Sequence, residues 1–249
     1  MSLRILPPEQ YPNTRHLIAP DACGAVYPLS VIEGTQSGTV YTDDTGRAVL
    51  IWHCCGFAFL FGAYDRAFLA ECAEIMRHPV PYTRMLLFAP DAETAAFFRK
   101  TDGFLPERRL FFRYPVSTQP QTTIPAVRIT ADILTQIHGK ITPAFSWQTA
   151  ADFLANGCGF CVMQDGVPAA WSFSAAVSDT EIDIGVETLA SYRRRGFAFA
   201  AAAAMIQAAL SQGKVPVWAC HAQNTGSQKL AAGLGFVPCG ECLTVKRTE

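Results

Sequence analysis

The chain has no hydrophobic run long enough to cross a bilayer, little charge, and no excess of either sign. Its longest apolar stretch, Phe197–Leu210, is mostly alanine and is broken by Gln207, short of the about 20 residues that a membrane-spanning helix needs. Charged residues make up 16% of the 249, and 20 Lys and Arg against 21 Asp and Glu leave a formal charge of −1. Without a basic surplus to release counterions from a phosphate backbone, nucleic acid is not an expected partner. The start, Met1-Ser2-Leu3-Arg4-Ile5-Leu6-Pro7-Pro8, lacks the apolar core and small-residue cleavage site of a secretory signal. The expectation is a soluble, cytoplasmic protein. Half the residues are hydrophobic and the mean hydropathy is +0.16, which excludes a disordered chain.

Zinc-ribbon spacing is also missing. Nine cysteines are present, with two C-x-x-C pairs at Cys158/Cys161 and Cys239/Cys242. Far more sequence separates the pairs than the roughly 15–20 residues of a short zinc ribbon. Cys161 continues into the strand-like Val162-Met163, where cysteine acts as a small hydrophobe. The same reading applies to Trp52-His53-Cys54-Cys55, and no metal is expected. No G-x-S-x-G nucleophile elbow occurs.

What is present divides into two. The stretch Tyr114–Pro125, with three prolines and a polar, β-branched interior, reads as a semi-rigid connector. It separates residues 1–118 from 119–249, each of ordinary domain size. In the first part, strand-like runs at Gly38–Thr42, Arg47–His53 and Phe57–Phe61 surround the turn Asp43-Asp44-Thr45-Gly46. A helix is expected over Ala67–Arg77, a strand at Met85–Phe88, a helix from Asp91 to about Lys100 and a strand at Leu110–Tyr114. The second part predicts helical material at Ala131–Lys140 and Thr149–Leu154, then strands at Gly159–Met163 and Ala169–Ala176. Glu181–Thr188 alternates strictly, with Ile182, Ile184, Val186 and Thr188 on one face and Glu181, Asp183 and Glu187 on the other. A helix from about Gly196 to Gln212, a strand at Val215–His221, a helix at Ser227–Gly233 and a strand at Cys242–Arg247 follow. This order places the chain in the α+β class, a mixed sheet flanked by helices. A weak internal echo, Asp91 and Thr94 before Gly103-Phe104 against Asn224 and Ser227 before Gly235-Phe236, raises a duplicated fold whose first copy has lost its site.

The segment suited to chemistry is Tyr192-Arg193-Arg194-Arg195-Gly196-Phe197-Ala198, between the alternating strand and the alanine-rich helix. A helix start offers unpaired N–H groups and the positive end of the dipole, and glycine or alanine lets a ligand approach that backbone. Three arginines add fixed charge, as a pyrophosphate requires. The alternative is a basic helix start that only faces solvent.

The succession strand, R-x-x-G-x-A, helix, strand, Asn224-x-x-Ser227, Leu234-Gly235-Phe236, strand resembles the GNAT superfamily of acyl-CoA-dependent N-acyltransferases. The resemblance covers Gly159 to Arg247. It implies that Arg193, Gly196 and Ala198, with Arg194, Arg195 and Phe197 beside them, bind the pyrophosphate and pantetheine of acetyl-CoA. It also implies that Asn224 and Ser227 open a helix beside the pantetheine arm. A narrower likeness, carried by Val31-Ile32-Glu33-Gly34, Gly38–Asp44, Gly185–Thr188 and Trp218-x-Cys220-His221, is to the GNAT subgroup of zwittermicin A resistance acetyltransferases. That subgroup pairs a diverged N-terminal half with a catalytic C-terminal half.

Acyl transfer to an amine needs a neutral nucleophile, donors for the tetrahedral oxyanion and a proton for the leaving thiolate. The fold implies that the backbone at Val186 and Thr188 polarises the acetyl carbonyl. His221 and Glu187 are the candidate bases and Ser227 a candidate donor. The family's usual tyrosine acid, seven residues after the motif asparagine, is Ala231 here. The expectation is thus an acetyl-CoA-dependent N-acetyltransferase acting on a primary amine of a small molecule or peptide. Its rivals are a non-catalytic acyl-CoA sensor and a structural interaction protein.

Overall fold

A computed structural model of the chain describes residues 3–19, 22–115 and 119–248. The extreme start, Met1-Ser2, and residues 116–118 of the connector lie outside the described residues. The chain forms two compact units, Met1–Leu110 with Gly240–Glu249, and Phe111–Cys239. The last ten residues therefore belong to the first unit.

In the first unit, strands β1 (Arg4–Ile5), β2 (Gly38–Thr42), β3 (Ala48–His53) and β4 (Phe57–Gly62) pair antiparallel in order, and β5 (Leu86–Ala89) joins β4 in parallel. The β2–β3 turn forms because the Asp43 carboxylate accepts from the Arg47 and Ala48 N–H groups at 2.9 and 3.1 Å. Helix α1 (Val26–Ile32) and a 3-10 turn over Pro8–Leu17 had no counterpart in the sequence reading. Prolines 8, 12 and 28 break the periodicity that would have announced them. Helix α2 (Arg66–Arg77) crosses from β4 to β5, capped by Asp65, whose carboxylate accepts from Phe68 N–H. Helix α3 (Ala92–Arg99) follows, and β6 (Phe104–Arg113) is longer than expected because Glu107-Arg108-Arg109 hides its strand character. The stretch Leu243–Lys246, from the chain's final strand, pairs antiparallel with β5 and completes this sheet. Phe68, Leu69, Met76, Phe98 and Phe104 fill the core against it, with Trp52, Leu60 and Val245.

The second unit runs β7 (Val127–Arg128), α4 (Ala131–Leu134), α5 (Ala150–Asn156), β8 (Gly159–Gln164), β9 (Val167–Val177), β10 (Glu181–Thr188), α6 (Phe197–Ser211), β11 (Val215–His221), α7 (Thr225–Leu234) and β12 (Val237–Arg247), the strand that leaves it for the first unit. Strands β7 to β10 are antiparallel neighbours, and β11 lies parallel to β10. The expected helix Ala131–Lys140 stops at Leu134. Beyond it, residues 137–142 form a strap whose Ile141 N–H and C=O are engaged by side chains rather than by a helical ladder. Alanine makes α6 thin enough to lie close on the sheet: Ala200–Ala203, Met205, Ile206 and Ala209 are all buried. Both faces of β10 are covered, so Asp183 is only 6% exposed despite sitting on the polar side of the alternation.

The two units repeat one local pattern. In each, a long helix joins two parallel strands whose ladder is short, and the next helix is capped by a side chain accepting from the N–H three residues on. Asp91 caps α3 through Thr94 N–H at 2.7 Å, and Asn224 caps α7 through Ser227 N–H at 3.0 Å. Gly103 and Gly235, the glycines of the two Gly-Phe pairs, both have left-handed φ, +86° and +99°.

Candidate active site

The site begins where β10 and β11 part. Their ladder consists of Glu181↔Val215, Ile182↔Pro216 and Asp183↔Val217, yet β10 continues to Thr188 and β11 to His221. Just there, the β9–β10 register shifts between Asp183 and Ile184, which pair with Ala176 and Ser174, leaving Ala175 as a bulge in β9. A bulge sharpens the local twist and bends strands apart.

Parity then decides which main-chain groups face the gap. Leu189 N–H donates to Ala169 O at 3.0 Å, in register with the pairs Glu187↔Trp171 and Gly185↔Phe173. Residues 185, 187 and 189 therefore spend their N–H and C=O groups on β9. Val186 and Thr188 turn theirs to the opposite edge, into the splay.

Side chains alternate the other way. Trp171, Phe173, Gly185 and Glu187 share the face covered by the α4–α5 segment. A Cβ on Gly185 would lie 2.7 Å from the Phe173 ring, which excludes any larger residue there. The Glu187 carboxylate accepts from Ile141 N–H at 2.6 Å, and Trp171 Nε1–H donates to Ile141 O at 2.7 Å. Glu187 thus holds the strap over the end of β10. The strap carried no signal in the sequence, since Gly139-Lys140 reads as the tail of a helix.

The loop from β10 to α6 is built to leave a helix start open. Gly196 occupies the N-cap with φ +81° and no side-chain hydrogen bond closes the first turn. Alanine at Gly196 would be strained in that conformation, and its Cβ would sit 3.2 Å from Ile124 Cδ1. Arg194 is also left-handed, at φ +65°. Arg193, Arg194 and Arg195 are exposed, with the Arg195 guanidinium 5.4 Å above the Tyr192 ring. Phe197 packs with Ile124 against Val162, Ala200 and Ala201 and anchors the helix start. Ala198 beside it adds only a methyl group. Unfilled amides, the dipole of a 15-residue helix worth roughly half a positive charge, and three exposed arginines give this helix start the chemistry that an anion would need.

Opposite, α7 begins at Asn224. Ser227 Oγ accepts from the indole N–H of Trp218 at 2.9 Å, so the hydroxyl keeps its own hydrogen for another partner. His221 Nδ1 accepts from Gln223 N–H at 3.2 Å, and the neutral ring in that arrangement carries its proton on Nε2. Ala231 is wholly buried and brings no proton donor. Among the cysteines, burial pushes the Cys161 thiol up to about 11 and the Cys158 thiol above its ordinary value. Among the described residues no three His, Cys, Asp or Glu side chains form a group able to hold a metal ion.

The fold recurs in solved structures. A GCN5-related N-acetyltransferase-like protein from Streptococcus suis is 21% identical, with a TM-score of 0.75 over 96% of this chain and 99% of its own. A GNAT-family acetyltransferase from Novosphingobium aromaticivorans is 16% identical, with a TM-score of 0.60 over 92% of this chain and 98% of its own. A tandem GNAT protein from the clavulanic acid biosynthesis pathway is 13% identical, with a TM-score of 0.57 over 99% of this chain and 98% of its own. No curated protein matches the sequence. With a mixed α+β sheet, a splayed strand pair beside an open helix start, and a match to the GNAT acetyltransferase family over residues 25–242, the chain belongs to that family.

Proposed function

We propose that the protein is a cytoplasmic, acetyl-CoA-dependent N-acetyltransferase that acetylates a primary amine of a small molecule or peptide by direct attack on the thioester. The observation that carries this reading is the uncapped start of α6: a left-handed Gly196 with no side-chain cap, flanked by Arg193–Arg195. In this reading the amides at Gly196, Phe197 and Ala198 and the three guanidinium groups bind the pyrophosphate. The pantetheine arm lies in the splay between Val186–Thr188 and Asn224–Ser227. A neutral amine adds to the acetyl carbonyl, whose oxygen receives the Thr188 N–H. The C–N bond forms, the C–S bond breaks, and the departing thiolate takes a proton for which the Ser227 hydroxyl is the candidate donor, restored by the proton that the base removes from the amine.

Glu187 and His221 are the two candidates for the ammonium proton, and their surroundings make different demands. Glu187 already accepts from Ile141 through one oxygen, and a carboxylate keeps acceptor capacity on the other. His221 must break with Gln223 N–H before Nδ1 can take a proton. Glu187→Gln preserves an acceptor for Ile141 and so keeps the strap while removing the base. His221→Gln removes the ring. Single-turnover rates of the two variants, with CoA affinity measured alongside, assign the base: the slower variant at unchanged affinity has lost it.

The first unit fits a diverged copy of the same fold. Its β4–α2–β5 crossover matches β10–α6–β11, and its parallel ladder is again short: Phe57↔Leu86, Ala58↔Leu87, Phe59↔Phe88. A cavity of about 550 Å³ lies there among Tyr64, Asp65, Arg66, Asp91 and Thr94. Asp65, however, fills the helix start and places a negative charge where a pyrophosphate would lie. The likeness to zwittermicin A resistance acetyltransferases belongs with this two-copy reading.

The second reading, an acyl-CoA sensor without turnover, is favoured by Ala231 in place of an acid. Calorimetry with CoA and thiol release from acetyl-CoA over an amine panel separate the two. Binding with turnover supports the enzyme, binding without turnover on any amine supports the sensor, and no binding overturns both.

A further inference from the structure

The second unit contains a cavity that the acyl-CoA reading does not use. It measures about 380 Å³ and lies within the α4–α5 segment, with Leu134, Ile137, Pro143, Trp147, Phe153 and Leu154 as its apolar walls. No ionisable residue lines it. Its polar contributors are the neutral Thr135, Thr142, Gln148 and Thr149. Such a space accepts an uncharged apolar group and rejects a phosphate, a carboxylate or an ammonium, whose desolvation nothing there offsets.

Its position links it to the end of β10. Ile137 and Thr142 line the cavity and are the two ends of the strap. The middle of the strap packs against the end of β10: Ile141 N–H donates to Glu187, and a Cβ on Gly139 would fall 2.4 Å from the Glu187 carboxylate and 2.7 Å from the Trp171 ring. One strap therefore has the cavity at its ends and Glu187 against its centre. Glu187 itself points to this face and not to the α6 face.

We propose that this cavity is the side-group pocket of the acceptor, and that the acceptor is a primary amine bearing an apolar, aliphatic or aromatic group a few bonds from its nitrogen. The inference rests on the acyl-transfer reading for the location of the amine. It gives Glu187 a positioning role through the strap, whichever residue takes the proton.

The test compares 2-phenylethylamine with ethanolamine, which present the same amine with and without an apolar group, using the full chain and acetyl-CoA. The expected result is a kcat/KM at least about 10-fold higher for 2-phenylethylamine, the scale of discrimination that an apolar pocket gives. The exposed Ala144, at the cavity rim, supplies a filling variant. Ala144→Phe should abolish that preference while CoA affinity stays unchanged. Equal kcat/KM for the two amines in the parent protein, or a preference that Ala144→Phe leaves intact, overturns the proposal. Ligand-observed NMR with 2-phenylethylamine alone keeps the two readings apart. If no amine turns over, binding that Ala144→Phe removes sustains the pocket, and absence of binding overturns it. Failure to bind CoA counts against the acyl-transfer reading only.

Discussion

Gly196→Asp tests the anion site most directly, because its effects on folding and on binding have different sizes. Folding feels three terms. A side chain at φ +81° costs about 1–2 kcal/mol, near the lower end for Asp and Asn, which visit that region most readily. The new Cβ meets only the flexible end of Ile124, at 3.2 Å. A carboxylate at the positive end of α6 returns about 0.3–1 kcal/mol. The net is a loss of no more than about 1 kcal/mol, or at most roughly 2–4 °C in Tm for a protein of this size. Binding feels a unit negative charge set against a diphosphate. At about 4 Å and an effective dielectric near 20, one such pair costs about 4 kcal/mol, and partial screening leaves a loss of roughly 100- to 1000-fold in CoA affinity. Gly196→Asn is the matched control, with the same shape and strain but no charge, and should lose no more than about 10-fold. Isothermal titration calorimetry with CoA, on variants whose thermal unfolding has been recorded, reads both quantities. A folded Gly196→Asp protein with parental affinity would refute the assignment of the α6 start as the anion site.

Three other outcomes are expected. Ser227→Ala strips the partner from the indole N–H of Trp218, a residue only 2% exposed, and should cost about 1–3 kcal/mol by denaturant unfolding without any ligand; Trp218→Phe in the same chain should recover part of that loss, and additive effects would remove the hydrogen bond from the account. Arg194→Gly relieves the left-handed φ of +65° and should leave unfolding free energy unchanged or raised by up to about 1 kcal/mol. If Arg194 serves the anion, the same variant weakens CoA binding and flattens its salt dependence, and unchanged affinity confines the residue to the turn. His53 is buried in the first unit, and burial lowers its pKa to about 3. The unfolded chain then binds the extra proton, so this contribution is present above about pH 6.5 and is lost as pH falls toward 3, at up to about 1.4 kcal/mol per pH unit; chemical denaturation of His53→Gln across that window should show a shallower slope, and an identical slope would place the sensitivity elsewhere.

Much of the architecture is legible in the residues because it follows local rules. β11 runs Val215–His221, the bounds expected from the sequence. α6 starts beside Gly196 and stops before the left-handed Gly213. Asp91 and Asn224 act as the caps that their spacing implies. The candidate anion site at Arg193-Arg194-Arg195-Gly196 is suggested by local sequence because a helix start, a glycine and fixed positive charge all lie within a few consecutive residues. Family membership is legible for the same reason, since its motifs are short and fall in order.

What tertiary structure decided is everything that depends on a distant partner. Leu243–Lys246 reads as a strand, but its pairing with Leu86–Ala89 of the first unit is a long-range choice that no local pattern encodes. The bulge at Ala175 lies where β10 leaves β11, yet nothing in Ala175 marks it, and Val186 and Thr188 face the gap only because residues 185, 187 and 189 pair with β9. Residues Gly139–Ile141 have helical composition nearby, but Ile141 gives its N–H to Glu187 and its carbonyl to Trp171, 46 and 30 residues away, and this competition unwinds the segment into a strap. A sequence records which groups a residue can offer, whereas the partner that takes them is settled only when the chain has closed around it.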